Sequence, residues 1–408
     1  MKILNPSIIL MLGYLVGQGS AFLLQLLLKF YSLSELLGVV VLLISYFSFA
    51  FQFSDLGNKS GLLFAALKKD VIVVESLHFS RGVVGFFTCM LLAIYTYIDV
   101  GGETEILPFL IALPVLGYLY GIIKLVYFEA DNNYVAFAIV GSIQWLFFVL
   151  TTGICFFISY FVDEVSFQVS LTVVAVMVVL FSCFSVLYVK RQFASAKNNF
   201  SFDPSILQFV LPHVGGQMWA RVLLLFVAKS LGLISLGMFG VVKYLQVFLS
   251  LFVSFLLRPK FKTFLEGSVE GVSLKLVAKL LHDSWFGIAV SLVGPLICFL
   301  YFSFDVDLDI FDFSDWPYLL IGIPFSLVGQ VSRQINQIAL PWKAMILLEQ
   351  VSLGLNVAVF FYFYQTNLVL SILLGEVLQQ LFLTVVMIVS VLSFGEKKLK
   401  KYEDIKSN

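Results

Sequence analysis

Apolar runs of helical length alternate with short polar connections along the whole chain. A helix that crosses a membrane needs about 20 mostly apolar residues, and the sequence offers twelve such candidates. They cover residues 6–28, 36–53, 82–98, 106–128, 134–161, 169–189, 206–228, 234–257, 285–304, 316–340, 344–364 and 368–394. The start of the third is the least defined, because Val71–Val74 is also apolar. The pattern predicts an all-α, polytopic membrane protein.

Basic residues in the connections predict the orientation, because Lys and Arg gather in the cytoplasmic loops of membrane proteins. Here they concentrate in the even-numbered connections and in the two tails, for example at Lys68–Lys69 and Lys190–Arg191. The odd-numbered connections are acidic, and one of them has five aspartates between residues 305 and 315. Both termini are therefore predicted to be cytoplasmic.

Composition supports the membrane assignment. Of the 408 residues, 60% are hydrophobic and 12% are charged, and the mean hydropathy is +1.01. A water-soluble domain has about 25% charged residues, so a water-soluble enzyme is excluded. The formal net charge is zero, which gives no reason to expect a nucleic-acid partner.

Known chemical motifs are missing from the sequence. The four cysteines are scattered through apolar runs, so no metal site is predicted. No Walker A sequence is present, which argues against a chain that uses ATP by itself. No arrangement of catalytic residues stands out either. We therefore predict a transporter that is not an enzyme and has no bound cofactor.

Two halves of the chain resemble each other. Gly17 and Gly38 are 21 residues apart, and so are Gly216 and Gly237. The similarity predicts two parallel six-helix bundles, an arrangement in which the substrate site lies between the halves. The predicted bundles cover residues 1–195 and 196–395, and residues 396–408 form a basic cytoplasmic tail.

Polar residues inside the predicted spans form helical stripes. Examples are Gln217 with Arg221, Lys243 with Gln246, and the stripe in the first span that ends at Gln25. A charge at mid-membrane is costly and normally faces a partner or a wet cavity. Six charges lie in the spans: Lys124, Arg221, Lys243, Arg333, Glu349 and Glu376.

Two interpretations of these charges stay open. Cations outnumber acids four to two among the six, which favours a cavity for an anionic headgroup. Ion pairing of Lys243 with Glu376, or of Arg333 with Glu349, is the main competing interpretation. The Ser and Gln positions could equally join helices by hydrogen bonds, and the pairs Gly13/Gly17 and Gly117/Gly121 indicate close helix packing.

Three segments resemble a known family. GQGS…ELLG, FQFSDLGN after the second span, and SLGMFGVVKYLQVFLS…LLRP in the eighth look like O-antigen flippases. These belong to the multidrug/oligosaccharidyl-lipid/polysaccharide exporter (MOP) superfamily. The resemblance implies transfer of an undecaprenyl-pyrophosphate-linked glycan from the cytoplasmic to the periplasmic leaflet by alternating access, for O-antigen or other surface polysaccharide synthesis. It also implies the bacterial inner membrane as location, with a polysaccharide polymerase and a chain-length regulator as partners.

The resemblance also implies roles for individual residues. Arg221 and Lys243 become candidate pyrophosphate contacts, with Lys124 and Arg333 at the cytoplasmic entrance. The substrate-binding candidates are Arg221, Lys243, Lys124, Arg333, Gln217 and Gln246. The candidates for coupling to H⁺ or Na⁺ are Glu376 and Glu349. Independently of the resemblance, Asp55 and Gly57 at the end of the second span are candidates for a gate or hinge, and the alternative is a simple helix stop with Gly57 as the C-cap.

Two other functions stay open. A cation-coupled efflux transporter of the same superfamily would have an acid-dominated site for a small drug or metabolite. A membrane-embedded polysaccharide polymerase would need a large outer loop, and the longest outer connection here is short.

Overall fold

The structure is a computed structural model that describes residues 6–53, 71–102, 104–161, 167–192, 202, 206–267 and 342–394, with single positions and short stretches between 277 and 340. Every regular element in these described residues is a helix, which confirms the predicted all-α class. The long helices are α1 (Pro6–Phe30), α2 (Ser34–Gln52), α3 (Val71–Asp99), α4 (Leu107–Ile122), α5 (Leu125–Ala130), α6 (Tyr134–Phe161), α7 (Phe167–Gln192), α8 (Ile206–Gly267), α9 (Trp342–Phe363) and α10 (Leu368–Phe394).

Within the described part of the chain, nine helices are long and apolar enough to cross a membrane. The chain is therefore a multi-pass membrane protein. Most of the ninth and tenth predicted spans falls outside the described residues, so the count of twelve stays a prediction. Two helices, α6 and α10, begin and end where the apolar runs predict.

Helix α3 begins at Val71, before the predicted span at residue 82. Its first three turns contain Glu75, His78 and Arg81, which made this part of the sequence resemble a water-exposed connection. All three side chains are buried in the structure. The helix extends because its polar side chains find partners on neighbouring helices.

Two interruptions divide segments that hydropathy alone would leave continuous. The fourth predicted span is split at Ile123 and Lys124, where the backbone leaves helical geometry between α4 and α5. Helix α8 contains Gly232 with φ 85° and ψ 171°, a conformation that is essentially restricted to glycine. Gly232 separates the seventh and eighth predicted spans.

Close glycine contacts hold α3 against α4. A Cβ atom at Gly85 would clash with the carbonyl of Gly117, and one at Gly121 would clash with the backbone of Gly82. Small residues let helix backbones approach in a membrane, where dispersion and interhelical hydrogen bonds drive association. The predicted close packing at Gly117 and Gly121 is confirmed.

The aromatic core lies beside this pair of helices. The Phe47 ring stacks on Phe148 with centroids 4.2 Å apart, and it meets Trp145 edge-on at 4.9 Å. Offset and edge-on contacts of this kind add about 0.5–1.5 kcal/mol each beyond the area that they bury. They fix α2 against α6.

The chain divides into two compact units. One unit, called unit A, is Leu12–Val241, and the other, called unit B, combines Met1–Met11 with Val242–Asn408. In unit B, α9 packs along α10, with Met345, Leu348 and Leu383 in a shared apolar cluster. The predicted division into two six-helix bundles at residue 195 stays a prediction.

Candidate functional site

Lys243 and Glu376 form an ion pair in unit B. Lys243 lies on α8 and donates to a carboxylate oxygen of Glu376 on α10. Their side chains are 16% and 30% exposed, so the pair is only partly enclosed. From the sequence, this ion pair was the alternative to an open cationic cavity. The structure brings the two residues together.

Arg333 and Glu349 form a second ion pair in the same unit. The Nε atom of Arg333 donates to Glu349 Oε1 over 2.6 Å. The Glu349 side chain is only 2% exposed, so its charge depends strongly on this partner. Both acids that the sequence proposed for ion coupling therefore face a cation.

Neutral polar groups also join helices in unit B. Asn356 on α9 donates to Gln379 Oε1 on α10 over 2.7 Å. The hydroxyl groups of Ser332 and Thr384 lie 3.5 Å apart. Helix α10 thus presents both charged and uncharged polar side chains to the helical segments packed against it.

A third ion pair lies in unit A at the interruption between α4 and α5. Lys124 donates to both carboxylate oxygens of Glu75, over 2.5 and 2.6 Å. The hydropathy pattern did not place Glu75 in the membrane, because the predicted third span began after it. The signal that could have found it is the apolar run Val71–Val74, which places the acid within the first turns of a helix.

Two further buried side chains of α3 hold the ends of neighbouring helices. Arg81 Nη2 donates to the carbonyl oxygen of Phe53, the C-cap of α2, over 2.5 Å. His78 Nδ1 lies 3.3 Å from the carbonyl oxygen of Gly121 near the end of α4, and it must carry the proton because a carbonyl only accepts. Positive groups are favourable at helix C-termini, where carbonyls lack helical partners.

Arg221 differs from Lys124, Lys243 and Arg333, which each face a carboxylate. Its Nε atom donates to the carbonyl oxygen of Ser45 over 3.1 Å, and its guanidinium lies 5.8 Å from the centre of the Phe49 ring. It is 9% exposed. Among the described residues no carboxylate pairs with it, so it keeps an uncompensated charge inside unit A.

The remaining predicted site residues are less informative. Gln217 lies one turn before Arg221 on α8 and is half-buried. Gln246 also belongs to α8, but its side chain is outside the described part, as are Asp55 and Gly57. Within the described residues no group of three His, Cys, Asp or Glu side chains could hold a metal ion.

Comparisons with known proteins identify the fold of this chain. No protein family and no curated protein matches the sequence. Solved structures do match, including one titled "Crystal structure of MATE in complex with MaD5", with a TM-score of 0.62, 12% identity, and 96% of both chains covered. An outward-facing "multidrug resistance MATE family transporter of the MOP superfamily" matches with a TM-score of 0.57 and 11% identity over 96% of this chain and 95% of that one. The eukaryotic MATE transporter AtDTX14 matches with a TM-score of 0.56 and 12% identity over 99% of this chain and 100% of that one.

These matches run along nearly the full length of both chains, so the similarity concerns the whole fold. Because the identities are only 11–12%, they establish the architecture of this chain and leave its cargo to chemical argument.

Proposed function

We propose that the protein is an ion-coupled, alternating-access transporter of the MOP superfamily. The fold that it shares with MATE transporters supports this assignment. The observation that carries it is the partly enclosed ion pair of Lys243 and Glu376 on two membrane helices of unit B.

A proton can switch this ion pair. Protonation of Glu376 removes the negative charge that faces the Lys243 ammonium. Because the pair is only partly enclosed, the cost stays below the about 3–5 kcal/mol of a fully buried pair, and proton binding still favours another arrangement of α8 and α10. A sodium ion that competes with Lys243 for the Glu376 carboxylate would act in the same direction. Glu349, held by Arg333, is the second coupling candidate.

The preferred cargo is a small organic molecule that is exported. Lys124, Lys243 and Arg333 each face a carboxylate. The excess of cations that favoured an anionic headgroup is therefore largely neutralised within the described residues. A transporter named for multidrug resistance among the structural neighbours supports the same choice.

Transport in proteoliposomes tests the coupling. A candidate cationic dye should be released or accumulated in response to an imposed pH gradient, and Glu376→Gln should abolish that response while the protein still inserts. Glu35→Gln is the matched control, because Glu35 is exposed in the first turn of α2. Equal pH-driven transport by Glu376→Gln and the wild type would refute the role of the ion pair.

A second candidate cargo is an undecaprenyl-pyrophosphate-linked glycan. The observation in its favour is Arg221, a buried guanidinium that no described carboxylate neutralises. Arginine binds phosphate oxygens by charge-assisted hydrogen bonds. Under this proposal the protein works in a bacterial inner membrane, where a polysaccharide polymerase and a chain-length regulator would take over the product.

Loss of the gene distinguishes the two cargoes. Export of a small molecule predicts greater sensitivity to toxic organic cations with normal surface polysaccharide. Glycan transfer predicts the opposite result, and the double variant Arg221→Ala/Lys243→Ala should then stop surface polysaccharide assembly while it inserts normally. Unchanged assembly in that double variant would rule out the two cations as pyrophosphate contacts.

A further inference from the structure

Helices α1 and α6 of unit A run parallel and in close contact. A Cβ atom at Gly17 would lie 3.0 Å from Cα of Ser142, and one at Gly153 would lie 3.3 Å from Cδ1 of Leu24. The Ser142 hydroxyl also donates to the carbonyl oxygen of Gly13 over 2.6 Å. The numbering increases together on both helices, so Gln25 and Thr152 lie at the same level of the α1–α6 interface.

Two polar side chains near this interface are enclosed and have no partner among the described residues. Gln25 is 1% exposed and Thr152 is 0% exposed. Neither polar atom of the Gln25 amide makes a hydrogen bond, and the Thr152 hydroxyl makes none. Buried polar groups of proteins are nearly always hydrogen-bonded, and the hydrocarbon core of a membrane offers no substitute.

Among the threonines that the structure describes, Thr152 is the one whose fully enclosed hydroxyl has no hydrogen-bond partner. The preceding residue, Thr151, donates to the carbonyl oxygen four residues earlier, and so do Thr96 and Thr384. A threonine inside a membrane helix satisfies its hydroxyl in this way when nothing else is available. The Thr152 hydroxyl forgoes that bond although it is fully buried, which indicates another partner beside α6.

Gln25 and Thr152 offer three unpaired polar atoms at one level of the interface. The amide nitrogen donates, the amide oxygen accepts and the hydroxyl can do both, so each can bond to a water molecule.

We propose that unit A binds water between α1 and α6, held by Gln25 and Thr152. The ligand is uncharged, because the two side chains are neutral and carry both donors and acceptors. Buried waters typically make two to four hydrogen bonds with such groups.

Cysteine accessibility in membranes tests this proposal. The native cysteines are first replaced by Ala, and Gln25→Cys and Thr152→Cys are introduced one at a time. A small hydrophilic methanethiosulfonate reagent reacts with the ionised thiol, which forms only where water is present. Both cysteines should react at least tenfold faster than Leu23→Cys, which lies beside Gln25 but is 60% exposed on the outer face of α1. A second control is Leu171→Cys, at a fully buried apolar position of α7.

Labelling of both test cysteines at the rate of the two controls would overturn the proposal. Thr152→Cys is close in volume to the native residue and carries the test if Gln25→Cys does not fold. Labelling requires no cargo and no ion gradient, so its outcome is separate from the transport assays.

Thermal stability gives an independent measurement. If the interface were dry, Gln25→Leu would remove two unpaired polar atoms and raise the Tm. With bound water, Gln25→Leu removes hydrogen bonds and leaves the Tm unchanged or lower. A raised Tm would therefore contradict the proposal.

Discussion

Gly38 and Gly237, which occupy corresponding positions in the two similar halves of the sequence, lie backbone to backbone in unit A. A Cβ atom at Gly237 would stand 3.0 Å from the backbone nitrogen of Gly38. A Cβ atom at Gly38 would in turn clash with the carbonyl oxygen of Leu233. The backbones of α2 and α8 therefore approach so closely that both positions need glycine.

Gly38→Ala should destabilise the protein. The added Cβ atom would clash with the backbone carbonyl of Leu233, which cannot move without displacing α8. Overpacking of this kind costs about 1–3 kcal/mol, and thermal unfolding in detergent should show a lower Tm. Gly141→Ala is the matched control, because nothing lies within 4 Å of its Cβ position. Equal Tm values for the two variants would contradict the prediction.

Gly232→Ala tests backbone conformation without a steric contribution from neighbours. Nothing lies within 4 Å of a Cβ atom at Gly232, but its φ of 85° is strained for any other residue. We expect a loss of about 1–3 kcal/mol, measured as a lower Tm. Gly216→Ala, at a helical position that is equally open, should be neutral or slightly stabilising. A Gly232→Ala variant as stable as the Gly216→Ala variant would show that the interruption of α8 does not need glycine.

The pair of Lys124 and Glu75 should behave as a unit. Lys124→Met or Glu75→Gln alone leaves a buried charge uncompensated and should cost about 3–5 kcal/mol. The double variant Lys124→Met/Glu75→Gln should cost less than the sum of the two single changes, because it removes both charges. Thermal unfolding of all four proteins gives the interaction energy, and additive effects would refute the coupling.

Arg81→Met should loosen the end of α2. The substitution removes the hydrogen bond to the carbonyl oxygen of Phe53, and hydrogen bonds to charged groups contribute about 1.5–3 kcal/mol. Hydrogen exchange measured by mass spectrometry should accelerate in the peptide around residues 49–53. Arg81→Lys keeps the charge but not the planar geometry, and should recover part of the protection. Unchanged exchange in Arg81→Met would mean that the end of α2 is held by other contacts.

The sequence alone was sufficient to predict both ends of helices that are apolar along their whole length. α6 and α10 were predicted at both ends because hydrophobic burial, which the sequence displays, decides where they begin and end. It was insufficient at α3, where Glu75, His78 and Arg81 resemble a loop until their partners on other helices are known. The interruption at Lys124 follows no glycine or proline signal and was missed for the same reason.

The sequence predicted which charged residues lie in the candidate site, but only partly which of them contact each other. Lys243, Arg333, Glu349 and Glu376 were all identified as intramembrane charges, and both ion pairs were among the interpretations left open. Counting charges favoured an anionic cargo because a count does not show that Lys124, Lys243 and Arg333 each face a carboxylate. The enclosure of Gln25 could not be predicted, since a polar stripe on one helix does not reveal which neighbour covers it.

The contacts of Arg81 and His78 have a mechanical consequence. One helix, α3, holds the C-terminal ends of both α2 and α4, and the glycines of α3 and α4 bring their backbones together. Bending any one of these three helices alone would break a buried hydrogen bond, so they should behave as a single rigid body. Within the described residues of unit A, Lys124 and Gly232 interrupt otherwise continuous helical segments, so we expect deformation at these two positions. Ligands that rigidify either position should slow the conformational changes of unit A without contacting the cargo.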